Sequence, residues 1–109
     1  MISPSIVVKV SEWLNREVAP EYRQQPMAQD WARVSKIQEE LGEATAELIL
    51  YTGQNPRKGK HPERKEFMLK ELGDVALTAI FAIQHFTNEI EMTREILIQQ
   101  QIKIERRVP

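Results

Sequence analysis

Ile37-Gln38-Glu39-Glu40-Leu41-Gly42-Glu43-Ala44-Thr45-Ala46-Glu47-Leu48-Ile49-Leu50-Tyr51 is the stretch that decides the fold. Ile37, Leu41, Ala44, Leu48 and Tyr51 recur at alternating steps of four and three, the repeat of one helix face and not the two-residue alternation of a strand. Leu69, Leu72, Ala76, Ile80 and Ile83 repeat the pattern further on. Both stripes are expected to face a shared core.

Outward from these stretches, Pro4, Pro20, Pro26, Pro56, Pro62 and Pro109 all fall outside the periodic segments, where proline punctuates helices. Four helices are predicted, at about Ser5 to Ala19, Ala28 to Thr52, Pro62 to Thr87 and Asn88 to Arg107. Asp30 is the expected cap of the second, and Asn88 marks the end of the third. The fold class is all-α, a four-helix bundle-like arrangement in one domain spanning residues 1–109. Between the middle helices, residues 52–62 are rich in turn formers and bases and form an exposed loop. Arg57, Lys58, Lys60, Arg64 and Lys65 crowd there, either to clamp phosphates or as a solvated balance to the acidic helices.

Composition narrows the function. The chain has 109 residues, and Leu, Ile, Val and Phe fill 29 of them, enough to fold, although so short a domain gains from self-association. The absence of cysteine removes disulfides, zinc fingers and thiol chemistry. A net charge of −1 gives no general field for nucleic acid. The run Val75 to Ile83 is too short to cross a bilayer, and Ile6, Val7 and Val8 lack the flanks of a signal peptide, so a cytoplasmic protein is expected.

The chemistry resides in an echo: Glu40-Leu41-Gly42-Glu43 in the second helix and Glu71-Leu72-Gly73-Asp74 in the third. A spacing of three puts both acids of each tetrad on nearly one helix face, so two packed helices would converge four carboxylates. Such a group repels itself or takes up protons unless a cation joins it, and all-oxygen ligation selects Mg²⁺ or Mn²⁺. His61 and His85 fit neither tetrad, and the Glu-x-x-His spacing of di-iron bundles is absent. Each tetrad also carries a mid-helix glycine, which predicts close approach of the partner helix or of a ligand. The competing reading of such acid pairs is a solvated face; Glu39 and Glu47 are read that way.

Glu39-Glu40-Leu41-Gly42-Glu43 followed by Glu71-Leu72-Gly73-Asp74 resembles the EExxE…ExxD signature of the MazG-like all-α nucleoside triphosphate pyrophosphohydrolases, relatives of the dimeric dUTPases and of phosphoribosyl-ATP pyrophosphohydrolase. The likeness covers roughly Lys36 to His85, with a weaker echo in Lys103-Ile104-Glu105-Arg106-Arg107. It implies a helical domain that dimerises or tetramerises, binds Mg²⁺ through Glu40, Glu43, Glu71 and Asp74, and cleaves a nucleoside triphosphate to monophosphate and pyrophosphate. Glu40 and Glu43 would be catalytic, with Glu39, Lys103 and Arg106 as substrate contacts. The other reading is a helical interaction module that keeps the fold without turnover, for which the apolar residues Ile90, Ile96, Leu97, Ile98, Ile102 and Ile104 speak.

Overall fold

The computed structural model describes residues 2–17 and 20–109. It is all-helical: α1 (Pro4–Arg16), α2 (Pro26–Thr52), α3 (Lys65–Thr87) and α4 (Ile90–Glu105), with 3₁₀ turns at Pro20–Tyr22 and Pro62–Arg64 and no strand among the described residues. No described helix is long and apolar enough to cross a membrane.

Proline sets two of the starts. Pro4 and Pro26 each open a helix, where the fixed φ suits the first turn and the missing N–H is not needed. The carbonyl of Gln25 already accepts from the amides of Ala28 and Gln29 at 3.0 and 3.3 Å. Asp30 therefore lies a turn inside α2 and is not its cap. The expected end of the first helix at Ala19 lies outside the described residues. Asn88 does close α3: its φ of 52° is left-handed, and its amide donates to the Gln84 carbonyl at 2.8 Å.

The chain divides into two compact units, Met1–Gln29 with Ile80–Pro109, and Asp30–Ala79. In the first, α1 packs on α4. Its interior is partly polar: buried Thr93 donates to Oε1 of buried Gln84 at 2.7 Å and shares a 2.8 Å hydroxyl contact with Thr87. From Arg94 onward every residue is exposed, including Leu97, Ile98, Ile102 and Ile104.

The second unit is a helical hairpin of α2 and α3. Gly53 ends α2 with φ 71°, and a Cβ there would lie 2.8 Å from that of Lys60, so both conformation and space require glycine. The loop is tied at its base, where the His61 amide donates to Leu50 O at 2.8 Å and its ring Nε2 donates to Lys58 O at 2.6 Å. Within the loop, Asn55 Oδ1 accepts from the Arg57 amide at 3.0 Å.

Burial departs from the expected shared core. Among the described residues the fully buried apolar side chains are Val7, Ala44 and Ala82. Leu41, Leu48, Leu69 and Leu72 lie on the predicted inward stripes, yet each is between 43% and 52% exposed in the single chain. Nor do the glycines of the two tetrads mark a close approach: a Cβ built on Gly42 or Gly73 meets nothing within 4 Å.

Candidate metal centre

The hairpin brings the two tetrads together in antiparallel register. Glu47 on α2 pairs with Arg64 just before α3, and Glu40 and Glu43 lie across from Glu71. Each step toward the start of α2 is thus matched by a step toward the end of α3. Glu40, Glu43 and Glu71 each present a carboxylate oxygen within 4.8 Å of the other two. That span is close to the width of one hard-cation coordination sphere, in which opposite oxygens stand roughly 4 to 5 Å apart.

The three acids differ in surroundings. Glu43 is exposed, whereas Glu40 is half-buried with 14% of its side chain open to solvent. Glu71 is half-buried, and its Oε2 is shielded from solvent without a hydrogen-bond partner. An orphaned buried oxygen costs about 1–3 kcal/mol, more when charged, and a cation is the partner that removes this cost together with the repulsion. The donor set is all oxygen, so the residues fit Mg²⁺ or Mn²⁺ better than Zn²⁺.

Of the four acids the tetrads offered, the structure gathers three and leaves Asp74 out of the cluster. Antiparallel register supplies the reason. Asp74 lies one turn past Glu71 toward the end of α3, which in an antiparallel hairpin is the direction of the start of α2 and away from Glu43. Asp74 is exposed.

Glu39 is exposed and bound to Lys36, whose Nζ stands 3.2 Å from Glu39 Oε1 and 3.5 Å from Glu40 Oε1. The Glu39 hydrogen bond is the main reason that the Lys36 ammonium is held above the usual lysine range. Lys36 is thus the cation already at the cluster. Sequence reasoning passed over it, although its spacing of three and four from Glu39 and Glu40 was the signal. Lys103, in the last turn of α4, and Arg106, which caps that helix, belong to the other unit and are exposed.

One turn beyond Glu43, half-buried Glu47 accepts two hydrogen bonds from Arg64, from Nε at 2.7 Å and from Nη2 at 2.5 Å. These bonds hold the Glu47 carboxyl below the ordinary carboxylate range and push Arg64 further up. The guanidinium also lies 4.1 Å from the centre of the Phe67 ring. Glu47, expected to be solvated, is instead half of the ion pair that joins the hairpin.

Compared with known proteins, the chain matches no family model, no curated relative and no solved structure.

Proposed function

We propose that the chain is a divalent-cation-dependent nucleoside triphosphate pyrophosphohydrolase of the MazG-like type, active as a homodimer or homotetramer. The observation that carries the reading is the convergence of Glu40, Glu43 and Glu71 with a buried, donorless oxygen on Glu71. Such a group of oxygen donors suits a hard cation.

Glu40, Glu43 and Glu71 would hold Mg²⁺ or Mn²⁺, with Asp74 joining only by rearrangement of its side chain or through water. Bound there, the ion supplies charge neutralisation for phosphate oxygens and a water of lowered pKa. The chain's own groups do the rest. Glu43, the exposed acid of the three, would take the proton of a water that attacks the α-phosphorus as the bond to the bridging oxygen breaks. The products are the nucleoside monophosphate and pyrophosphate. Catalysis of this kind rests on positioning and charge stabilisation, which needs no glycine-rich phosphate loop.

The exposed leucines of the hairpin and the bare apolar residues of α4 support self-association. The same α4 surface favours the second reading, an interaction module without turnover. One assay separates the two: purified protein is incubated with canonical and modified nucleoside triphosphates and Mg²⁺ or Mn²⁺, and products are resolved by chromatography. Equal monophosphate and pyrophosphate, abolished by chelator and by Glu40→Gln, Glu43→Gln or Glu71→Gln, is the expected result. No turnover across the panel with metal still bound would leave the module.

A further inference from the structure

We infer that Arg64 is a phosphate contact of the proposed site, a guanidinium stacked on Phe67 whose edge away from Glu47 takes the part of a polyphosphate that extends beyond the carboxylate cluster. The inference rests on the polyphosphate substrate proposed above and adds to it a residue that fixes the direction in which the phosphates run.

Donor accounting carries the argument. A guanidinium has five N–H donors. Glu47 takes the Nε–H and one Nη2–H along one edge of the fork. The other edge, two donors on Nη1 and one on Nη2, makes no hydrogen bond among the described residues, with the Glu63 carboxylate near enough to act on the charge but not bonded to it, while 32% of the side chain is exposed. An edge of that shape matches two oxygens of a phosphate, and arginine stays charged whatever the pH.

Placement agrees. Glu47 lies four residues past Glu43, ~6 Å along the helix axis, and Phe67 lies four residues before Glu71. Arg64 itself lies seven residues before Glu71, so the ion pair is displaced from the carboxylates toward the loop, by about one turn from Glu43 on α2 and about two turns from Glu71 along the chain of α3. A phosphate chain anchored by a cation at Glu40, Glu43 and Glu71 and running toward the loop approaches Arg64. Lys58, Lys60 and Lys65, all exposed, extend the positive field in the same direction. Phe67 beneath the guanidinium limits its rotation, so the fork meets its ligand with its orientation already fixed.

A purely structural ion pair behaves differently from a ligand contact when halved. If Arg64 and Glu47 only staple the hairpin, losing either partner has the same consequence. If Arg64 also holds phosphate, Arg64→Gln loses the ligand while Glu47→Gln keeps the guanidinium.

The test is calorimetric titration of inorganic tripolyphosphate into the Mn²⁺-loaded full chain, with Mn²⁺ affinity and melting temperature measured for every variant. The expected result is a Kd raised about tenfold or more in Arg64→Gln, raised in Arg64→Lys, and changed less than about threefold in Glu47→Gln, with Mn²⁺ affinity unmoved. Equal weakening in Arg64→Gln and Glu47→Gln, or none in Arg64→Gln, overturns the inference. If Arg64→Gln melts below the working temperature, Arg64→Lys, which keeps charge but not the fork, decides it in the same way. The two proposals fail separately. A wild-type chain that turns over nucleotides with Kd and KM indifferent to Arg64 refutes only the contact; one that binds tripolyphosphate with the stated asymmetry and hydrolyses nothing refutes only the hydrolase.

Discussion

Glu43→Gln should change the sign of its effect on stability when a divalent cation is added. Without metal, the Glu43 carboxylate faces those of Glu40 and Glu71 at no more than 4.8 Å, and Lys36 offsets only part of the charge at Glu40. Two unit charges at that distance repel by ~0.9 kcal/mol in bulk water and ~3.5 kcal/mol at an effective dielectric constant of 20. Glu43 is exposed, which puts it near the lower figure, and two such repulsions relieved amount to about 1–2 kcal/mol. In chelator the variant should melt above the wild type, by roughly 4–8 °C per kcal/mol for a chain of this size. With Mn²⁺ at a hundred times its Kd, the wild type gains about 2.7 kcal/mol by mass action while the variant, one ligand short, gains little, and the order reverses. Differential scanning calorimetry at one fixed protein concentration, with and without chelator, reads both halves. A variant that melts below the wild type in chelator would show that Glu43 is held by an attractive contact. Equal responses to Mn²⁺ would remove Glu43 from the ligand set.

Three further outcomes are expected. Gly42→Ala and Gly73→Ala fall on open helix surface, so each should stabilise the chain by about 1 kcal/mol in thermal or urea unfolding, and a loss of stability would mean that another molecule occupies that space. Because Arg64 holds the Glu47 carboxyl below its ordinary value of 4.5, the pair's contribution is fully present above that pH and is lost as pH falls through the lowered value; the melting difference between wild type and Glu47→Gln should be flat near neutrality and vanish in acid. Ile98→Asp with Ile102→Asp changes two exposed positions and should leave the single chain nearly as stable while converting a dimer or larger species to monomer in sedimentation, and a monomeric wild type at high concentration would remove the oligomer.

Much of the helical layout was legible in residue order because proline and period are local signals. Thr52 and Thr87 end α2 and α3 as read, with Asn88 in the left-handed turn that follows. Helix starts were read less well, since Pro26 opens α2 ahead of the more obvious Asp30. Burial was the larger miss. Leu41, Leu48, Leu69 and Leu72 carry a perfectly periodic stripe, but a stripe reports that a face needs covering and says nothing about which chain covers it. The candidate cluster was legible to the extent that helix spacing is local: Glu40 with Glu43 is a property of one helix, and Glu71 belongs to the matching tetrad that the structure brings beside them. Asp74, expected with the other three, does not join them in the structure, because its position depends on the antiparallel register across the loop, which no spacing within a single helix encodes. The same register hid Arg64, read only as one base among five, and its partner Glu47.

The way the loop is closed bears on how the hairpin can change length. Gly53 against Lys60 and the bond from His61 to Leu50 form a neck, and the Glu47–Arg64 pair sits on the helix side of it. Extra residues introduced at Pro56 or Arg57 would hang outside that neck, and for a flexible insert each doubling of length adds only about 0.6 kcal/mol of closure entropy. The tip of this hairpin is therefore a place where a tag, a fluorophore or another domain can be grafted while the spacing of Glu40, Glu43 and Glu71 stays as it is.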